Sequence, residues 1–176
     1  KRRRKLRRKL VMSFKLVEAK HNDENFISCK EFFNPIRSKK GITSPIKFDM
    51  CEFILCLLIG LKFNRKELLK EFELQKTAFA QKYIEDYINM KPLITGLMLS
   101  KIIKEAGVDR NEKDKVKEIM KNVLDSNEPT FLKKETLDIM HQYYLGGYCI
   151  LLKEFDNKAP VDVSVFFSKY NELLKN

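Results

Sequence analysis

Residues 51–61, Cys-Glu-Phe-Ile-Leu-Cys-Leu-Leu-Ile-Gly-Leu, form the most apolar unbroken stretch of the chain, and Glu52 is their only charge. Such a run has no polar face to offer water. It must be buried nearly all round, and the other segments must pack on it. It is about half as long as a membrane span needs to be, and Asp49, Glu52, Lys62 and Arg65 flank or interrupt it. The expectation is a central buried helix in a soluble, cytoplasmic protein with no membrane partner.

The neighbouring segments define its boundaries. Ser44-Pro45 predicts the helix start, with the hydroxyl as cap and Pro at the first helical position. The helix is then expected to run from Pro45 to about Phe63, with Gly60 marking close approach of another helix. Upstream, Phe14 and Leu16 alternate with Ser13 and Lys15, a short strand that needs a partner, which another subunit could supply. Residues 23–37 read as a helix capped by Asn22 or Asp23 and stopped at Pro35. Residues 65–76 read as a short helix through Leu68, Leu69 and Phe72, and 78–90 as a helix with Phe79, Tyr83, Tyr87 and Met90 on one face. A helix over 93–106 carries apolar Leu93, Leu97 and Ile102 and ends at Gly107. A polar helix over 111–125 is expected to bury Val116, Ile119, Met120, Val123 and Leu124. Thr130 is expected to cap a long helix through Phe155, where Gly146-Gly147 mark a tight crossing or a bend. A last amphipathic helix spans 161–174. The fold class is therefore mainly α. One helical domain, 12–176, of about eight helices surrounds a central buried helix, with one short N-terminal strand and a basic tail over 1–11.

Charge is unevenly distributed. The net charge is +11, yet residues 1–20 carry +9 and residues 21–176 only +2. The excess sits in Lys1-Arg-Arg-Arg-Lys-Leu-Arg-Arg-Lys-Leu10, a polyphosphate-binding arm, a nuclear-type address or a solvated tail. Met12 reads as a candidate natural start, and without residues 1–11 the charge falls to +3. Arg37, Lys39 and Lys40 precede the predicted helix start, whose backbone donors favour anions, and Lys47 and Arg65 lie on or beside the same helix. With Arg2, Arg3 and Arg4 these are the candidate DNA-binding residues: lysines and arginines that neutralise phosphates without reading sequence.

Catalytic signals are sparse. Cys29, Cys51, Cys56 and Cys149 have no zinc spacing and read as reduced core thiols. His21 and His141 are the two histidines, and a lone His on an apolar face is usually a packing residue. Walker, Gly-x-Ser-x-Gly, His-Glu-x-x-His and Cys-x-x-Cys patterns are absent from the sequence. Neither a catalytic residue nor a metal or cofactor is assigned.

Gly41-Ile42-Thr43 followed by Ile54-Leu55-Cys56-Leu57-Leu58 resembles the DndE family, the small DNA-associated members of the bacterial system that puts sulfur into the DNA backbone. Ser13-Phe14-Lys15-Leu16, Gly96-Leu-Met-Leu-Ser-Lys-Ile-Ile and Tyr144-Leu-Gly-Gly-Tyr-Cys-Ile-Leu are similar to elements of that family in the same order. Ser44-Pro45 departs from its direct Thr-Pro turn, and the residues after Phe155 extend beyond it. The resemblance implies an α-helical, homo-oligomeric accessory subunit that binds duplex or nicked DNA beside sulfur-transfer and ATPase subunits. Its residue-level content is Lys39, Lys40 and Lys47. Two other readings stay open: a helical assembly or adaptor module docking on a larger partner, and a metal-dependent nickase or nuclease.

Overall fold

The computed structural model describes residues 13–39 and 44–175. The apolar run forms α2, Asp49–Lys62, and it is buried on most sides as its composition demands. It lies against α5, Lys134–Glu154, the longest helix. A Cβ added to Gly60 would overlap the Tyr143 carbonyl and reach Gly147 N at 3.0 Å, and one added to Gly147 would overlap the Cys56 carbonyl and Gly60 N. The two backbones thus touch directly, and the crossing expected at Gly146-Gly147 is present. Gly146 is used in the same way, against the carbonyl of Arg65.

Aromatic side chains of α5 carry this contact outward. Tyr144 stacks on Phe53 of α2 with ring centroids 4.6 Å apart, and its hydroxyl accepts from Val17 N at 2.9 Å. The Tyr148 hydroxyl donates to the Ile27 carbonyl at 2.7 Å. A buried hydroxyl needs a partner, so each tyrosine both fills space and pins a distant segment. Phe32 and Phe33 of α1, Cys29–Phe33, meet Phe166 of α6, Val163–Lys175, at 6.4 and 5.5 Å. The Tyr170 hydroxyl ties α6 to the Leu55 carbonyl at 3.0 Å.

The strand exists, and its partner lies within the chain. β1, Val17–Lys20, pairs antiparallel with β2, Phe72–Leu74, with an irregular register between Val17 and Ala19. Phe14 continues the pairing opposite Ala80. Residues expected to be helical over 65–76 are therefore a 3-10 turn, Leu69–Glu71, and a strand. Likewise 78–90 is irregular, with one bridge residue at Ala80 and a 3-10 turn at Glu85–Tyr87, because Phe79 and Tyr83 are drawn onto the Phe14 ring, 6.1 and 5.1 Å away. The first helix is also shorter than expected. Ser28 caps it in a capping box with Glu31, which supersedes Asn22 and Asp23.

Among the described residues there are six α-helices and this two-stranded sheet, so the fold is mainly α with fewer helices than the eight expected. α3, Met90–Glu105, and α4, Lys113–Val123, form the periphery. α3 ends as Gly107 predicted: φ is +66°, and the amides of Gly107 and Val108 return to the carbonyls of Lys104 and Ile103 at 3.1 and 3.2 Å. α5 begins at Lys134, with Lys133 at its cap position, and Thr130 is buried upstream of it. No helix among the described residues is long and apolar enough to cross a membrane.

Substituting Gly147 by Ala should destabilise the chain by about 3 kcal/mol or more, because backbone cannot move aside as a side chain can. Urea denaturation of Gly147→Ala beside wild type measures this.

Candidate functional site

The turn before α2 does not have the geometry that Ser44-Pro45 predicts. The Ser44 hydroxyl accepts from Ile46 N at 3.1 Å, a local turn. The helix starts four residues later, at Asp49, with Phe48 in the cap position and no side-chain cap. Asp49 and Glu52 therefore occupy its first turn, where an anion would sit. Arg37 turns to them: its Nη2 pairs with Asp49, and its Nε lies 2.9 Å from Glu52 Oε1. The Arg37 charge is answered inside the protein. Arg65 is similarly engaged by Glu67 at 2.6 Å. Lys39 is exposed and donates to the Asn34 carbonyl at 3.2 Å, and Lys47 is exposed at the edge of a shallow hollow of about 250 Å³ that Arg37 and Phe48 also line. Arg2, Arg3, Arg4 and Lys40 lie outside the described residues. The structure thus places Arg37, Lys39 and Lys47 at one turn and Arg65 at the far end of α2.

Glu52 is fully buried. Its contact with Arg37 Nε is close but not aligned as a hydrogen bond, and neither carboxylate oxygen has a hydrogen-bond partner among the described residues. Burial pushes its carboxyl up to about 8, against the opposing pull of Arg37. The carboxyl is then largely protonated at neutral pH, and Asp49 is the anion that holds Arg37.

The histidine and cysteines serve the core. His141 is buried with Nδ1 2.9 Å from the Leu137 carbonyl, its ring edge-on to Phe53 at 5.3 Å, and burial lowers its pKa. All four cysteines are free, with Cys29 and Cys56 buried and Cys51 and Cys149 half-buried. Among the described residues no group of three or more His, Cys, Asp or Glu is placed to hold a metal.

A different surface brings lysines together. The C-terminal half of α2 and the outer part of α3 border a hollow of about 280 Å³. Leu58, Leu61 and Leu97 line it with apolar side chains, and Lys62, Lys101 and Lys104 with basic ones. Lys101 donates to the Leu61 carbonyl at 3.2 Å, and Lys62 donates to the Leu174 carbonyl. None of the three pairs with a carboxylate among the described residues. The adjoining hollow holds Glu105, which is already engaged by Lys66 at 2.9 Å and by the Tyr143 hydroxyl. Burial raises the Glu105 pKa, but these two bonds outweigh it and hold the carboxyl below its ordinary value. Sequence reasoning noted Lys62 only as a flank of the apolar run and missed Lys101 and Lys104. The signal was there: Leu97, Lys101 and Lys104 recur at helical spacing on one face.

No family model, curated protein or solved structure matches this chain.

The raised pKa of Glu52 sets a pH dependence. Below about 4.5 the carboxyl is protonated whether folded or unfolded, and its contribution is constant. Between about 4.5 and about 8 the unfolded chain releases that proton and the folded chain keeps it, so stability falls as pH rises. The slope is at most about 1.4 kcal/mol per pH unit. Thermal unfolding of wild type and Glu52→Gln across this window should show the fall in wild type and its loss in the variant.

Proposed function

We propose that this chain is a helical assembly module that docks on a larger partner through its α3–α4 end. The observation that carries this reading is apolar surface that the fold leaves uncovered there. Of the sixteen residues of α3, Ile94, Met98 and Ile103 are buried, while Leu93 and Leu97 are 51% and 37% exposed. α4 has an apolar stripe of Val116, Ile119, Met120 and Val123. Val123 is buried, Val116 and Ile119 are half-buried, and Met120 is 38% exposed. The expected burial of that whole stripe is thus not met within one chain. An amphipathic helix whose apolar face stays wet is stabilised by whatever covers it.

Purified gently from its own cells, the chain should elute well above its monomer mass, and Leu93→Glu combined with Leu97→Glu should return it to the monomer. Both positions face water, so the double variant should fold. Wild type eluting as a monomer overturns the reading.

The resemblance to DndE keeps a second reading in place, an accessory subunit of a DNA sulfur-modification system that contacts the phosphate backbone. Its support is the run of eight lysines and arginines in residues 1–11, with Lys39 and Lys47 exposed at the turn before α2. Gel shifts on duplex and nicked DNA should then show binding at low salt that weakens steeply with added salt. Starting the chain at Met12 should flatten the log–log slope by about 0.9 for each phosphate that the tail had neutralised. Absence of low-salt binding by the full chain removes this reading.

A further inference from the structure

We infer that the hollow between α2 and α3 receives an acidic amphipathic helix of a partner protein, an assignment that rests on the docking reading above. Its apolar and basic lining residues make two separate demands. Leu58, Leu61 and Leu97 call for apolar side chains. Lys62, Lys101 and Lys104, unpaired with carboxylates among the described residues, call for anions around them. A helix with a leucine stripe flanked by Glu or Asp meets both at once. A bare phosphate does not. It would meet the lysines but leave Leu58, Leu61 and Leu97 uncovered. Nucleic acid would likewise leave these leucines uncovered.

Gly96 adds an independent observation. Gly60, Gly146 and Gly147 are each required by backbone pressed against them, whereas a Cβ on Gly96 would meet nothing within 4 Å among the described residues. Gly96 is helical and exposed, with a negative φ, so the fold itself gains nothing from glycine here. With Leu93, Leu97 and Ser100 it lies on the outer face of α3, where it opens a notch for close approach of another helix. The chain thus carries at this point an exposed mid-helix glycine with open space over it.

The test uses three synthetic probes and fluorescence anisotropy. One peptide is an amphipathic helix with leucines at i, i+3, i+4 and i+7 and flanking glutamates, the second replaces every glutamate by lysine, and the third probe is a short duplex DNA. The acidic peptide should bind wild type saturably and the basic one should not. Lys101→Glu with Lys104→Glu should weaken the acidic peptide by about tenfold or more. Gly96→Leu should raise the melting temperature while weakening that peptide to a similar degree, a combination that a purely structural role for Gly96 cannot give. Equal binding of the two peptides, displacement of the acidic peptide by the DNA, or unchanged affinity in both variants overturns the assignment. Failure of the acidic peptide to bind overturns it too. If the native assembly still depends on Leu93 and Leu97, docking itself survives that failure; if it does not, both readings fall.

Discussion

Where α2 crosses α5, the backbones of Gly60 and Gly147 meet with no side chain between them. Close approach of this kind brings the flanking residues of both helices into contact along their length, and the large aromatic side chains of α5 then reach past α2 to other elements. Tyr144 holds β1 and Tyr148 holds the segment before α1. A wider crossing would pull both hydroxyls off their partners and leave buried polar groups unpaired, which costs more than the van der Waals contact itself. The glycines therefore help to set where the sheet and the first helix sit.

How much of this was legible in the sequence depended on how local the information was. The central helix was legible because eleven nearly uncharged residues leave no alternative to burial. Gly107 was legible because a left-handed turn after an amphipathic run has one common meaning. Residues 65–90 were not. Leu68, Leu69 and Phe72 fit helical spacing over so short a span that pattern cannot decide. The deciding contacts, Val17 with Leu74 and Phe14 with Ala80, join residues more than fifty positions apart. The Ser28–Glu31 capping box was visible as Ser-x-x-Glu, but the upstream Asn22 and Asp23 competed with it as start signals.

The candidate site shows the same limit in electrostatic form. Arg37 and Arg65 looked like free cations because a sequence counts charges without pairing them. Arg37 is neutralised by a helix start that lies four residues beyond where Pro45 indicated, and Arg65 by Glu67 two residues on. The groove lysines were overlooked for the converse reason. Lys62 and Lys101 are about forty positions apart and line one hollow because α3 lies beside the end of α2. Lysines near helix C-termini also have a local use in offsetting the helix dipole, so they do not stand out in a sequence.

This division of charge follows from the same crossing. α2 is buried nearly all round over most of its length, so its one internal carboxyl, Glu52, has to stay protonated or be answered from outside the helix. It stays largely protonated, and Arg37, beside it at the N-terminal end, is held by Asp49. At the other end α2 emerges from the core beyond Gly60, where Leu61 is half-buried and Lys62 is exposed. α3 lies beside that emerging end, its C-terminal turn tied down by Glu105 to Lys66 and Tyr143. Arg37 is consumed in an ion pair with Asp49 at the helix start, whereas Lys62, Lys101 and Lys104 lie at a helix end already in contact with water. Cations of the first kind are fixed by the fold. Those of the second kind have no carboxylate partner among the described residues, and they line the same hollow as Leu58, Leu61 and Leu97.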